Sequence, residues 1–380
     1  MTQEIHGTVA AGFETVRDEF VAFVATERSD YEGQLCVYVH GRRVVDLWAG
    51  EDADADSLYG VFSSSKGAAH LVVALLVQEG TLELDRKVTY YWPEFASEGK
   101  GALTLRDLLA HRAGVVGTDS GFSRQELADD RQIAERLADQ RPFWRPGTAF
   151  GYHALVIGAL SGEVVRRATG RTLQEVYEER VRAPYGLDLF LGLPGAHEPR
   201  FRSAQAMAPA EEQRALPDGP HTLAGIAFNR HAAEPTGLGT LPNDPLVRAK
   251  GPASVGGVAS ARGLAAMYAA AISEVGGKAP LLKEDTAAEF AQFHSVGYDL
   301  VARAHRSYGL GFQATADTWY PVLGAGAFGH SGAAGSQGFA DPRSGIAYGY
   351  TRRRFAFPGG PGAENERFVA AVHGAATALG

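Results

Sequence analysis

A serine hydroxyl is a poor nucleophile until a neighbour takes its proton, and a lysine three positions later on a helix brings an amine to the same face. Ser63 and Lys66 have that spacing, and so do Ser97 and Lys100. Context separates the two copies. Ser97 sits in a polar, glycine-flanked loop, where a solvated Lys100 is expected. Ser63 instead opens a hydrophobic helix directly after an extended run, Leu58-Tyr-Gly-Val-Phe62. Its own N–H then points out of the helix end, so nucleophile and one oxyanion donor share a residue. Taken alone, Lys66 reads as an ordinary lysine near a helix cap. The chain has six lysines against thirty arginines, which makes a lysine at the start of an apolar helix harder to set aside.

Two further segments carry candidate chemistry. Trp144-Arg-Pro-Gly-Thr-Ala-Phe-Gly-Tyr152-His-Ala154 enters a helix abruptly, and at that junction the Tyr152 phenol can project into a cleft and help move a proton. Packing is the commoner role of a single tyrosine. Phe328-Gly-His330-Ser331-Gly332-Ala333 falls in an extended stretch whose small residues let a substrate approach the backbone, although a lone histidine in a strand is usually structural. The same stretch imitates the G-x-S-x-G elbow of α/β-hydrolases, with Asp341 and His373 following in triad order. That elbow belongs between a strand and a helix, whereas strand continues here, so Ser331 is read as a binding residue. Gly324-Ala-Gly-Ala-Phe-Gly329 matches G-x-G-x-x-G without opening a helix, so no nucleotide is implied. The twelve histidines include no H-E-x-x-H pattern, and neither a metal nor another cofactor is expected.

The elements that must hold these residues follow from periodicity. Phe13, Val16, Phe20, Phe23 and Val24 repeat at helical spacing, and residues 34–39 and 44–48 read as a β-hairpin, so the chain is expected to open helix, strand, strand. After an acidic loop at 51–56 come the run at 58–62 and an apolar helix to about residue 78, closed by Gly80. From 85 to 290 strands become scarce, with helices expected at 104–110, 125–138, 154–169, 172–181 and 261–272, and a long loop at 217–252. Strand patterns return at 308–315, 328–340 and 346–352, before a closing helix at 365–373. Hairpins without βαβ crossovers imply an antiparallel sheet. The expected fold is α+β: an α/β sandwich of antiparallel sheet flanked by the terminal helices, built from 1–84 and 291–380, with a mainly helical domain inserted at 85–290. The active site would lie in the cleft between them.

Composition narrows the function. The chain has 380 residues, 45% hydrophobic and 21% charged, with a net charge of −8 and its cations scattered, so nucleic acid is a poor partner. No apolar run approaches a membrane span, and the charged first thirty residues read as a cytoplasmic start. The single cysteine, Cys36, lies in an alternating apolar run and reads as a buried, inert thiol.

Ser63-x-x-Lys66, Tyr152 and His330-Ser-Gly332, in this order, resemble the serine β-lactamase and penicillin-binding-protein superfamily, in particular its class C-type branch and the family VIII carboxylesterases. Stretches 80–85, 91–95, 103–114 and 255–262 resemble the framework of the same family, so the likeness covers most of the chain. The resemblance implies the β-lactamase/transpeptidase-like fold and a Ser63 acyl-enzyme. Lys66 and Tyr152 would share the proton as general base and acid, and the backbone N–H groups of Ser63 and Ala333 would hold the oxyanion. Two positions depart from the β-lactamase pattern: Ala154 stands where the tyrosine motif has asparagine, and His330 where the third motif has lysine. Losing a fixed cation weakens recognition of a carboxylate and favours a neutral ester. His330, Ser331, Gly332, Phe122 and Trp144 are the expected substrate-binding residues, and Tyr59, Phe62, Phe143 and Trp319 are further aromatics near the cleft. The lead expectation is a carboxylesterase acting on small short- to medium-chain esters. An acyltransferase on the same acyl-enzyme, a weak β-lactam or amide hydrolase, and a catalytically silent binding module are the alternatives. A homo-oligomer is compatible with all of them.

Overall fold

The structure, a computed structural model, describes residues 3–207, 219–235, 237–356 and 359–379. Its strands are β1 (Ile5–Val9), β2 (Gly33–Val39), β3 (Arg42–Ala49), β4 (Leu58–Phe62), β5 (Leu189–Phe190), β6 (Phe201–Arg202), β7 (Gly257–Ala259), β8 (Ser295–Asp299), β9 (Ala304–Tyr308), β10 (Gln313–Ala314), β11 (Phe328–Ser331), β12 (Gln337–Asp341) and β13 (Ile346–Arg352). Nine of these form one antiparallel sheet in the order β1-β3-β2-β13-β12-β11-β10-β9-β8, and the other four a small sheet in the order β5-β7-β4-β6. The helices used below are α1 (Glu14–Thr26), α2 (Ser65–Gln78), α3 (Asp130–Ala138), α4 (Ile157–Thr169), α5 (Ala261–Ile272) and α6 (Glu364–Leu379). The fold is α+β, and among the described residues no helix is long and apolar enough to cross a membrane.

The large sheet is covered on both faces, which is why β13 is buried along its whole length. Successive side chains of a strand point to opposite faces. On one face Leu35, Val37, Phe339, Tyr348 and Tyr350 pack with Val16, Phe20 and Phe23 of α1 and Phe368 and Val372 of α6. The start of α6 is pinned by buried polar bonds: the Tyr350 hydroxyl donates to Glu364 at 2.6 Å and Arg352 pairs with the same carboxylate at 2.7 Å. On the other face α5 lies so close that only small residues fit beneath it. A Cβ on Gly349 would stand 2.3 Å from the Ala261 carbonyl oxygen. Cys36 packs there against Ala261 and Ala265, its thiol fully buried and its pKa pushed up by burial and by Asp46.

Several elements differ from the sequence-based expectation. The chain opens with β1, which pairs with β3, rather than with a helix. The stretch 328–340 is a hairpin, β11 and β12, whose turn contains Gly332 and Ala333. β8 adds an edge strand beside β9. The region 217–252 contains the short helices Leu223–Ala227 and Pro245–Lys250, while Pro217 and Asp218 lie outside the described residues. α5 rests on the large sheet rather than within the helical middle. β4 belongs to the small sheet, and α2, which follows it, is buried from Ser65 through Leu76 because it is apolar on every side and packs against both α4 and β11.

Gly349→Val tests the closeness of α5 to the sheet. The added side chain must push the α5 backbone outward, and the expected loss is about 2–3 kcal/mol of unfolding free energy in a urea titration. An unchanged midpoint would show that the helix yields freely.

Candidate active site

Ser63 stands in the turn between β4 and α2, and the preceding residue is strained: Phe62 has φ of 48°, a left-handed conformation that bulky side chains avoid. The conformation is held by the Ser65 hydroxyl, which donates to the Phe62 carbonyl and accepts from Gly257 N–H at 2.8 Å, and by the Phe355 ring packed edge-on at 5.1 Å. Through residues 57–76 Ser63 is the one residue that is not buried. Through 327–341 that residue is Ala333. Two buried stretches from different sheets thus each reach the surface at one expected oxyanion donor, and among the described residues neither N–H takes a protein partner.

Lys66 is fully buried, and its Nζ lies 3.0 Å from Ser63 Oγ, 2.7 Å from the Ala154 carbonyl and 2.7 Å from the Ser254 carbonyl. Carbonyl oxygens only accept. A neutral amine that gives one N–H to each of them turns its lone pair toward the serine hydroxyl. Burial drives the Lys66 pKa well below its ordinary value, with Asp130 pulling weakly the other way. Ala154, which lacks the asparagine amide, contributes through its backbone. Ser254 escaped the sequence reading. Its hydroxyl accepts from Gly158 N–H at 2.7 Å, while Asp130 of α3 accepts from Ala253 N–H and Gln174 at 2.8 Å, so two helices fix this carbonyl. Burial raises the Asp130 carboxyl to about 6.

The Tyr152 ring centre lies 5.0 Å from Lys66 Nζ. Burial raises its phenol well above the ordinary range, opposed by a hydrogen bond with Ser63, so Tyr152 is a neutral phenol. Its placement comes from Asp299, another residue that the sequence did not single out. Asp299 accepts the Tyr152 N–H at 3.1 Å and the Tyr308 hydroxyl at 2.9 Å, and the Tyr308 and Tyr152 rings lie parallel at 6.2 Å.

Four fully buried histidines surround this centre: His70, His111, His153 and His330. Burial lowers His70 and His153 to about 4, and His111 and His330 well below the ordinary histidine value, so all four are neutral at pH 7. His330 stacks with Tyr152 at 5.8 Å and bonds through Nδ1 to the Ser331 carbonyl at 2.8 Å.

The other expected binding residues divide. Trp144 belongs to an apolar group around Tyr152 with Phe143, Leu223, Ile226 and Phe228. Phe122 does not: it is 3% exposed in the core of the helical region, its backbone tied to Asn229. Tyr59 and Phe62 are core residues as well, and Trp319 packs on the terminal-helix side of the sheet. Gly332 is buried in the β11–β12 turn. Ser331 gives its hydroxyl and N–H to Gln313 at 3.1 and 3.0 Å, while Asp341 caps the turn at Gly324, Arg343 and Ser344, so no triad forms at the imitation elbow. The second Ser-x-x-Lys copy is not solvated as expected. Lys100 is buried and donates to the Ser97 and Gln140 carbonyls at 2.9 and 2.7 Å, and the Ser97 hydroxyl is committed to the Ala138 carbonyl at 2.9 Å.

A family model described as beta-lactamase matches residues 23–371. The chain belongs to the beta-lactamase family. Its relatives include the esterase/beta-lactamase LipL of Mycobacterium tuberculosis (strain ATCC 25618 / H37Rv), 32% identical over 345 residues that cover 86% of this chain and 78% of LipL. EstA of Arthrobacter nitroguajacolicus Rue61a superposes over 100% of both chains with 40% identity and a TM-score of 0.91. A family VIII carboxylesterase does so over 98% of this chain and 100% of its own, with 30% identity and a TM-score of 0.86. Beta-lactamase family membership and the large antiparallel sheet with its helices agree with the resemblance read from the motifs.

Two predictions separate the site from its imitations. Lys66→Met is expected to lower kcat/KM for an ester by about a thousandfold or more, while Lys100→Met changes it by less than about twofold and lowers unfolding free energy by about 1–3 kcal/mol. Equal losses of activity would remove the distinction. The buried histidines set an acid limit on stability: their folded pKa values lie below the unfolded value of 6.5, so their contribution is complete above pH 6.5 and is lost as pH falls toward 4. The slope approaches about 1.4 kcal/mol per pH unit for each histidine, with Asp130 opposing by one proton. Urea midpoints at pH 7, 6 and 5 should fall in that order, and a flat series would place protons on these imidazoles.

Proposed function

We propose that the protein is a serine carboxylesterase that cleaves short- to medium-chain esters of small neutral molecules through an acyl-enzyme on Ser63. The observation that carries this reading is the buried Lys66 amine, 3.0 Å from the serine hydroxyl with its other two bonds committed to carbonyl oxygens. Lys66 takes the Ser63 proton as Oγ attacks the ester carbonyl carbon. The oxygen that becomes negative sits between the N–H groups of Ser63 and Ala333. As the C–O bond breaks, the departing alkoxide receives a proton through the neutral Tyr152 phenol, which regains one from Lys66, and the alcohol leaves. Water then attacks the Ser63 ester, gives its proton to the same pair and releases the carboxylic acid and the free serine.

The choice of ester over β-lactam rests on charge. The third motif carries His330, buried and neutral, in place of a lysine, so it supplies no permanent cation for a substrate carboxylate. The apolar residues grouped with Tyr152 suit an uncharged substrate. The similar family VIII carboxylesterase carries an esterase name and LipL is named esterase/beta-lactamase, which supports ester cleavage.

Hydrolysis of p-nitrophenyl acetate, butyrate and octanoate, measured beside nitrocefin and a Ser63→Ala variant, tests the reading. The expected outcome is rapid ester turnover, little nitrocefin hydrolysis, and a loss in the variant of about a thousandfold or more. Ester turnover that survives the substitution would remove Ser63 as nucleophile, and nitrocefin turnover matching that of the esters would remove the charge argument.

A further inference from the structure

The two oxyanion donors come from parts of the fold that no strand ladder joins. Ser63 follows β4 of the small sheet, and Ala333 lies between β11 and β12 of the large one. An oxyanion hole works only if both donors stand about 3 Å from one point, so their separation must be held to a fraction of an ångström. Backbone pairing cannot do this here. Two hydroxyls span the gap instead. Ser64 Oγ lies 3.1 Å from the His330 carbonyl and 3.0 Å from Ser336 Oγ, and Ser336 Oγ lies 3.0 Å from the Val61 carbonyl. Both side chains are buried, 0% and 1% exposed. Two hydroxyl hydrogens serve three contacts, so two of the three are hydrogen-bonded at once, and every choice links the sheets.

The backbones close up around this link. Gly332 donates to the Ser336 carbonyl at 2.8 Å, and a Cβ on Gly332 would lie 2.2 Å from both the Val61 carbonyl oxygen and Ser336 Oγ. Each serine sits within three residues of a donor: Ser64 follows Ser63, and Ser336 closes the turn that holds Ala333.

We propose that Ser64 and Ser336 are positioning residues of the oxyanion hole, a hydroxyl clasp that sets the distance between the Ser63 and Ala333 N–H groups. The inference rests on the proposed Ser63 acyl-enzyme. It concerns the stabilisation of the tetrahedral intermediate, and neither hydroxyl is given a proton-transfer role.

The test uses Ser64→Ala, Ser336→Ala and the double variant, each checked by near-UV circular dichroism and thermal unfolding. Labelling of Ser63 by a fluorophosphonate reports on the acyl-enzyme reading separately. Either single substitution is expected to lower kcat for p-nitrophenyl butyrate about tenfold or more with KM within about twofold, and to weaken an alkyl trifluoromethyl ketone, which forms a tetrahedral oxyanion on the serine, by a similar factor. Each single variant leaves one hydroxyl–carbonyl bond across the gap, Ser336 to Val61 or Ser64 to His330, so the double variant should be at least as impaired as the worse single one. Ser336→Thr, which keeps the hydroxyl, should retain most of kcat, and it decides the matter if Ser336→Ala fails to fold. Unchanged kcat in the alanine variants overturns the inference, and so does a loss of kcat without weaker ketone binding. Ser63 labelled in every variant together with either result overturns the clasp alone. An unlabelled wild-type Ser63 overturns both readings.

Discussion

The candidate site is built around a fully buried amine whose proton affinity burial lowers well below the ordinary value. An ammonium taken out of water pays heavily even when its three N–H groups find acceptors, and the two carbonyls and one hydroxyl around Lys66 include no contacting carboxylate. Burial therefore lowers the Lys66 pKa, and the same partners orient the amine. Each carbonyl comes from a segment that would not stay in place unaided. Ala154 precedes α4, and Ser254 lies in a turn fastened by Gly158 and Asp130. The apolar face of α2 brings Lys66 to them, and the strained Phe62 turn brings Ser63 to Lys66. Burial, which elsewhere in the chain serves stability, here sets the proton affinity of the amine.

The surroundings keep a second rule, that among the described residues nothing near Lys66 adds positive charge at neutral pH. His70, His111 and His330 all lie within electrostatic reach of the buried centre, and protonating one would hinder protonation of the others and of Lys66. Their burial makes them neutral packing groups, and the rings of His111 and His330 pack directly on Tyr152 while His70 meets Phe312. Among the described residues the carboxyl that acts on Lys66 is Asp130, itself raised to about 6 by burial, and the desolvation of the amine outweighs its pull.

What the sequence disclosed follows the range of the interactions. Ser63 and Lys66 are three residues apart on one turn, so spacing alone could nominate them, and the order of the motifs added Tyr152 and Ala333. Ser254 meets Lys66 across 188 residues and Ser336 meets Ser64 across 272, and nothing local distinguishes either serine from many others. Asp299 sits in a strand, Ser-Val-Gly-Tyr-Asp, whose alternation points the wrong way, because in the edge strand β8 Val296 and Tyr298 are exposed while Ser295 and Asp299 are buried. β1 is an edge strand as well. β11 and β12 merged into one run because both are buried on both faces, which erases the period of two that would have marked the turn. Lys100 misled in the opposite direction. Its polar neighbours suggested solvent, yet carbonyl ends of the surrounding loops needed a donor and drew it inside.

The third motif shows how one exchange changes the charge of a site while its Ser-x-x-Lys pair stays the same. A lysine there would place a permanent charge beside Lys66 and would both attract a substrate carboxylate and depress the base further. Histidine at the same place, once buried, offers neither. Its ring instead stacks with Tyr152, and its neighbour Ser331 turns its hydroxyl to Gln313, away from any base. In the proposed reading, discrimination then rests on shape and apolar contact around Tyr152, where Trp144, Phe143 and Phe228 gather, and the catalytic charge develops only in the transition state. A site with no standing cation gains little by binding an anion before reaction. It gains most from holding the oxyanion once formed, which places the burden of catalysis on two backbone N–H groups and on whatever keeps them the right distance apart.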